Sequence, residues 1–580
     1  LQVWYLRALG ARIGSDVVIG SVRLRVPSLL TIGNGASIGN AVNLDNARVE
    51  RGELLIERIF IGDEGYVGSY AVMEGNTSVG TMGRLEGLSA LADGQHVLAG
   101  ECWSGSPARK SSMVDPLQRP QRRPVSKRIK LFEAAFYSLG ALMIAMLFFI
   151  PIFPTFILVD WLDIRLFGDT TSTGSLQTAG RYFLLALPAS ALLTLLTALL
   201  SATVRWSVLP RLSAGSWPVH GSTYYRKWLA NQIQECSLNV LHGVYATVYA
   251  PMWYRLLGAK VGKNAEISTA MGVVPDMLTL GDETFIADAV MLGDDEVDGG
   301  WMTLQPTVIG HRSFVGNGAY VPDGTMLPEN VLIGVQSCTP PNDVIREGDT
   351  WMGSPSLRLP ARETHSGFPE ALTYHPSWRR RLARALIEAL RIVLPLAITI
   401  GVGYLIVLES FKDVSNDSVV AFIEDLAIGG LVYGIGAFAL VLLLKWLLIG
   451  RYRPHSAPMW TPFVWFSEAV TNLYEAIAVP NFVDMLRGTP MIVPVLRLLG
   501  VKIGRGVYLD TTDFTEFDCA EIGDQAEINA WSGPQTHLFE DRIMKIGRVR
   551  IGAGTTVRAR STVLYDAEVG DGALLGPLTL

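Results

Sequence analysis

The sequence predicts a membrane protein in which three tandem parallel β-helix domains of the hexapeptide-repeat kind alternate with transmembrane helical hairpins. Three observations predict it. An aliphatic residue returns every six positions in three separate blocks, four long apolar segments come in two pairs between those blocks, and one similar phrase introduces each block. A period of six fits neither a helix, which repeats every 3.6 residues, nor a half-buried strand, which repeats every two.

The beat runs through Ile61, Val67, Met73, Val79, Leu85, Leu91 and Val97, again through Ile309, Val315, Val321, Leu327 and Ile333, and again through Ile551, Val557, Val563, Val569 and Leu575. In a parallel β-helix each hexapeptide forms one short strand and one corner. Three hexapeptides close a triangular coil, and the aliphatic residues stack inward, roughly 4.8 Å from coil to coil. Gly62, Gly68, Gly316 and Gly552 suit the corners, where the backbone takes angles that other residues resist.

A chain of 580 residues exceeds a single core, and 49% hydrophobic with 18% charged residues points to a membrane protein with large soluble parts. The net charge of −6 gives no reason to expect nucleic-acid binding. Four well-separated cysteines, Cys102, Cys236, Cys338 and Cys519, imply neither a zinc site nor a disulfide framework. The opening "LQVWYLRALGARIG" reads as the interior of a domain, so the chain is expected to be part of a longer one.

Ala134–Val159, Tyr182–Val204, Ile392–Leu408 and Leu426–Leu444 are the candidate spans. Eight basic residues precede the first span against Asp115 alone, and "WRRRLARALIEALR" precedes the third, which places both flanks in the cytoplasm. The turns within each pair carry Asp160, Asp163 and Asp169, then Glu409, Asp413, Asp417, Glu424 and Asp425, and read as exterior. The expectation is a multi-pass protein of the cell (inner) membrane with its β-helices cytoplasmic.

The prefaces "YLRALGARIG", "WYRLLGAKVG" and "VLRLLGVKIG" make each block part of a repeated unit: a hairpin, an aromatic-rich interfacial stretch and a β-helix. Trp217, Tyr224, Tyr225, Trp228, Trp460 and Trp465 fit residues at the headgroup level. A regular pattern implies a further hairpin upstream and six spans in all. The expected domains are 1–109, a first β-helix; 110–216, a basic linker and hairpin; 217–360, an interfacial segment and second β-helix; 361–453, a second linker and hairpin; and 454–580, an interfacial segment and third β-helix.

Two blocks close with "WSGSPAR" and "WMGSPSL". A hexapeptide helix with such an ending resembles the left-handed β-helix acyltransferases, and the first block matches it fully. Three such units alternating with membrane hairpins resemble the terminal region of single-module nonribosomal peptide synthetases that make amino-acid homopolymers, the ε-poly-lysine synthetase type. The resemblance implies upstream adenylation and carrier domains on the same longer chain. It implies a phosphopantetheine-linked aminoacyl thioester as donor, no cofactor or metal bound directly, and an amino acid or polyamino acid as acceptor. It also implies parallel prisms grouped in threes, with a histidine base in a cleft between two of them; three tandem copies would build that trimer within one chain.

Amide formation needs a neutral amine, and a lysine-type ammonium is only about one part in a few thousand neutral at pH 7. A histidine poised to take the proton is worth about 10² to 10⁴ in rate. Within the β-helix blocks the histidines are His96, His311 and His537. His96 and His311 read as exposed corner residues. His537 lies in "GPQTHLFEDRIMK", an insertion that breaks the hexad beat, with Glu540 and Asp541 close enough in sequence to orient it. The matching insertions in the other copies lack histidine. The candidate catalytic group is therefore His537, Glu540 and Asp541. Asp276, Asp282, Asp518 and Asp524 occupy matching positions in two acid-rich copies and are the candidate substrate-binding residues, with a solvated acidic surface as the plainer alternative.

The function so predicted is acyl transfer from a carrier-bound aminoacyl thioester to an amine, forming a peptide or isopeptide bond. A membrane acyltransferase using acyl-coenzyme A on a sugar or lipid is the alternative reading, and a non-catalytic membrane scaffold the third.

Overall fold

Strands of two to five residues stack coil on coil in each hexad block, because each inward aliphatic residue finds its equivalent directly above it. The computed structural model describes residues 2–115, 122, 124–168, 175–209, 211–360, 367–414 and 419–580. In the first block Ile13, Ile32, Ile61, Val79 and Val97 lie in parallel register on one face. Val67 and Leu85 lie in register on the second face, Met73 and Leu91 on the third. The six-residue beat therefore steps from face to face of a three-sided prism. Each of those aliphatic residues from Ile61 to Val97 is at most 1% exposed, and each such burial contributes roughly 1.5–3 kcal/mol. The second and third blocks repeat the three parallel sheets.

The insertions are antiparallel hairpins rather than irregular loops. They pair Ala47–Glu50 with Glu53–Ile56, Glu296–Asp298 with Trp301–Leu304, and His537–Glu540 with Ile543–Ile546. Each turns through two residues of positive φ, Arg51 and Gly52, Gly299 and Gly300, Asp541 and Arg542, the two-residue turn whose twist matches paired strands. Gly215–Pro218 and His455–Pro458 add an outer strand to the second and third hairpins.

The hairpins pass around the molecule in one sense. The third lies on the second prism, where Phe539 stacks on Phe285 at 5.9 Å and Arg542 donates to the Asn264 carbonyl at 2.6 Å. The second reaches the first prism through Glu296 and Asp298 to Arg84. The first reaches the third, where the Val49 amide donates to Asn529 at 2.9 Å and Glu50 pairs with Arg558 at 2.8 Å. The two G-S-P endings also meet: the Ser106 amide donates to the Ser354 carbonyl, and the Ser106 hydroxyl to Pro577 of the third prism.

Four helical segments, Lys127–Phe167, Gln177–Val208, Trp378–Ile406 and Val419–Ile449, are long and apolar enough to cross a membrane. The span expected at Ala134–Val159 is two helices, Lys127–Leu147 and Ile152–Phe167, separated by a turn at 148–151; Pro151 lacks the amide that would continue the helical ladder. The third helical segment begins at Trp378, well before Ile392; Arg379 and Arg381 of its first turn are exposed, and Arg384 pairs with Glu266 of the second prism at 2.9 Å. Asp169 and Asp417 lie outside the described residues. Of the aromatics assigned to the headgroup level, Tyr225, Trp460 and Trp465 are 6–8% exposed, whereas Trp217, Tyr224 and Trp228 are half-buried.

Candidate functional site

A cavity with an empty volume of about 610 Å³, its mouth included, lies where the third hairpin crosses the second prism. Its walls come from four elements: Glu266, Ser268, Phe285 and Asp288 of the second prism; His537 and Phe539 of the hairpin; Arg384, Glu388 and Arg391 of the helix Trp378–Val414; and Trp465 and Glu468 of the helix Pro462–Leu473. One wall is a buried ion network. Arg384 grips Glu266 with two bonds of 2.9 and 3.0 Å and Glu388 at 2.6 Å, while Arg542 reaches Glu266 at 3.1 Å. These charges satisfy one another, so the wall is rigid and locally near neutral.

His537 sits at the root of its hairpin, 12% exposed by side chain. Its Nδ1 meets Glu516 Oε2 at 2.8 Å, which leaves Nε2 for a substrate. Glu516 is buried in the preceding coil and also accepts from the Thr515 and Thr536 hydroxyls, each at 2.7 Å. Burial alone would lower the His537 pKa, but Glu516, then Glu468 and Asp288, outweigh it and raise it to about 9. For Glu516 burial pushes upward and is in turn outweighed by His537, so the carboxyl lies below its ordinary value. The arrangement is a histidine oriented and charged by a buried carboxylate, able to take and return a proton at Nε2.

Glu540 and Asp541 are not the orienting groups. Alternation along a strand puts His537 and Phe539 on the cavity face, whereas Glu540 pairs with Lys545 at 2.9 Å and Asp541 sits in the turn at the far end of the hairpin. Glu516 takes their place from 21 residues away. His96 is exposed beside the Ser78 hydroxyl and His311 lies 4.0 Å from Glu283.

The four aspartates expected to bind substrate do other work. Asp282 and Asp524 each accept a backbone amide at a β-helix corner, from Lys263 at 2.6 Å and Arg505 at 2.7 Å. Asp276 pairs with buried Arg205, and Asp518 with buried Lys445 at 2.7 Å, which ties the end of each returning helix to the prism that follows. Beside these clamps Trp206 and Trp446 donate their indole N–H to the Leu256 and Leu498 carbonyls at 2.9 and 3.1 Å. The helices of the second and third prefaces end there at Gly258 and Gly500, with φ of +113° and +119°. The carboxylates that do face the cavity are Asp288, Glu468, Glu266 and Glu388; Asp288 belongs to the acid-rich second copy, whereas no periodicity marks the other three.

The preceding unit fills the equivalent place. On the matching helices Trp228 stands where the later unit has Glu468, and Gly140 where it has Arg391. The Trp228 ring packs over Gly140 and meets Tyr137 edge-on at 4.7 Å.

No family model matches the chain. Delta-poly-L-ornithine synthetase of Acinetobacter baumannii (strain AB307-0294) is 57% identical over 577 residues, which is 99% of this chain and 43% of that protein. The chain thus spans less than half the length of the curated relative it matches. Among solved structures, a hexapeptide-repeat acetyltransferase of Vibrio cholerae O1 biovar eltor in complex with acetyl coenzyme A aligns at TM-score 0.17 and 23% identity over 18% of this chain and 62% of its own. A maltose O-acetyltransferase of Clostridium difficile 630 aligns at TM-score 0.18 and 12% identity over 20% and 75%.

Proposed function

We propose, from the extended similarity to a poly-amino-acid synthetase, that this chain is the amide-forming region of a longer membrane synthetase, with His537 as the general base. The observation that carries the reading is the buried Glu516–His537 pair opening onto a cavity in the third unit. The amine attacks the carbonyl carbon of an aminoacyl thioester held by a carrier domain elsewhere on the synthetase. A C–N bond forms, His537 takes the amine proton, the C–S bond breaks, and the proton passes to the departing thiolate. Phe285, Phe539 and Trp465 offer apolar surface to the uncharged stem of such a donor.

The name of the relative makes ornithine the first amine to test. We further infer that the prisms work as a trimer within one chain, which the contacts among all three support. The apolar helices would be inserted in the cell membrane with the prisms on the cytoplasmic side, which the basic segments before each pair support.

In the full synthetase, His537→Ala should leave aminoacyl loading of the carrier intact and reduce bond formation by about 10² to 10⁴. Near-normal polymerisation by a folded His537→Ala protein would overturn the assignment. Transfer from acyl-coenzyme A to a sugar or lipid, with none from the carrier, would favour the acyltransferase reading instead.

A further inference from the structure

We propose that the open edge of the first hairpin, Glu53–Ile56, is the docking site of an extended segment of the longer synthetase, four residues that end in proline and lead into a helix, lying ahead of Leu1 in the chain. The proposal rests on the reading of this chain as one region of a longer synthetase.

The three hairpins are alike in their turns and unlike in what covers them. Counted from the turn, Leu54 and Ile56 correspond to Met302 and Leu304 in the second hairpin and to Met544 and Ile546 in the third. Those four equivalents are at most 4% exposed, whereas Leu54 is 63% and Ile56 49% exposed. The difference is one strand. Gly215–Pro218 lies antiparallel on the second hairpin and His455–Pro458 on the third, while among the described residues Glu53–Ile56 pairs with Ala47–Glu50 alone. A sheet edge that stays free is ordinarily blunted by charge, proline or a bulge. Leu54, Leu55 and Ile56 form an uncharged run in regular register, which is the character of an edge that takes a further strand.

The exposed face continues at Tyr5 of the helix Gln2–Ala8 and at Leu9 just beyond it, where the matching Trp253, Leu257 and Leu499 of the later units are buried. In those units the cover is a returning helix, whose Trp206 or Trp446 bonds to the end of the introducing helix, then the strand, then a second helix, Ser222–Leu241 or Pro462–Leu473. An apolar face that both sister units cover in the same way marks an interface.

The sister units also describe the occupant. Gly215 precedes Gly258 by 43 residues and His455 precedes Gly500 by 45, so the same spacing from Gly10 falls ahead of Leu1. Proline stands opposite the first residue of each hairpin's second strand, Pro218 at Trp301 and Pro458 at Ile543, where its missing amide ends the pairing. The next amide donates to the turn, Val219 to the Gly300 carbonyl at 3.0 Å and Met459 to that of Arg542 at 2.9 Å. In the first unit this register sets proline opposite Glu53 and the following amide against the Gly52 carbonyl. Ser28 stands where Asp276 and Asp518 hold Arg205 and Lys445, so the helix that arrives on the first prism needs no buried cation.

The test places a benzophenone amino acid at position 54 or 56 of the full synthetase in its membrane and maps the adducts by mass spectrometry after irradiation. Each should join a peptide of the same chain from ahead of Leu1, within a few residues of a proline, and a mixture of isotope-labelled and unlabelled synthetase should give no mixed adducts. In the wild type, hydrogen exchange over 53–56 should be as slow as over 301–304, and Ile56→Asp should quicken it by at least about tenfold while 301–304 stays protected and Ile56→Val changes little. Adducts to lipid, to a second copy or to another protein would overturn the proposal, as would fast exchange over 53–56 in the wild type or ready modification of Leu54→Cys by a water-soluble maleimide. His537→Ala should give the same adducts, so a failure of the proposed chemistry and a failure of the docking are read separately.

Discussion

Glu516→Gln keeps the shape of the group that orients His537 and removes its charge. The wild-type histidine, with a pKa raised from 6.5 to about 9, contributes stability that is fully present below pH 6.5 and lost as pH climbs through 9. The rate runs the other way, because a base must first be neutral, so acceptor-dependent activity should rise toward pH 9. In Glu516→Gln the burial of the ring is no longer outweighed to the same extent. The acid limb of the rate profile should therefore move to lower pH while the maximal rate falls, a shift that mere disordering of the hairpin would not produce. His537 was legible in the sequence because a histidine interrupting a hexad beat is conspicuous. Its partner was not, because stacking of successive coils, rather than proximity along the chain, brings Glu516 beneath it.

The hexads could be read from periodicity and the long helices from apolar length, yet the clamps that join them could not. Asp276 and Asp518 were recognisable as a repeated pair, but only the packing shows that each meets the last cation of a long apolar helical segment, Arg205 or Lys445. The Lys445 side chain is fully buried, so Asp518→Asn strands an ammonium and should cost about 3–5 kcal/mol. That cost should appear as a lower thermal midpoint. Three or four residues on either side of a turn are too short for a period-two pattern to stand out in the insertions; their positive-φ turns, and the outer strands added to the second and third, are evident only in the fold.

At the level of the whole molecule, three similar prisms surround unlike clefts, and the preceding unit has aromatic rings where the last has Glu468 and Arg391. Arg542 holds the last hairpin on its neighbour through the Asn264, Glu283 and Thr284 carbonyls. Arg542→Ala should raise hydrogen exchange across 537–546 while the prism cores stay protected, and bond formation should fall with the loss of protection. The passing of hairpins from the third prism to the second, the second to the first and the first to the third also carries a consequence for biosynthesis. Glu266, Asp288, Arg384 and Glu468 of the cavity wall precede His537 in the chain, so the ribosome makes that wall before the histidine that completes it. A chain interrupted before His537 would carry most of the cavity wall without the imidazole, and under the proposed function it would form no bonds.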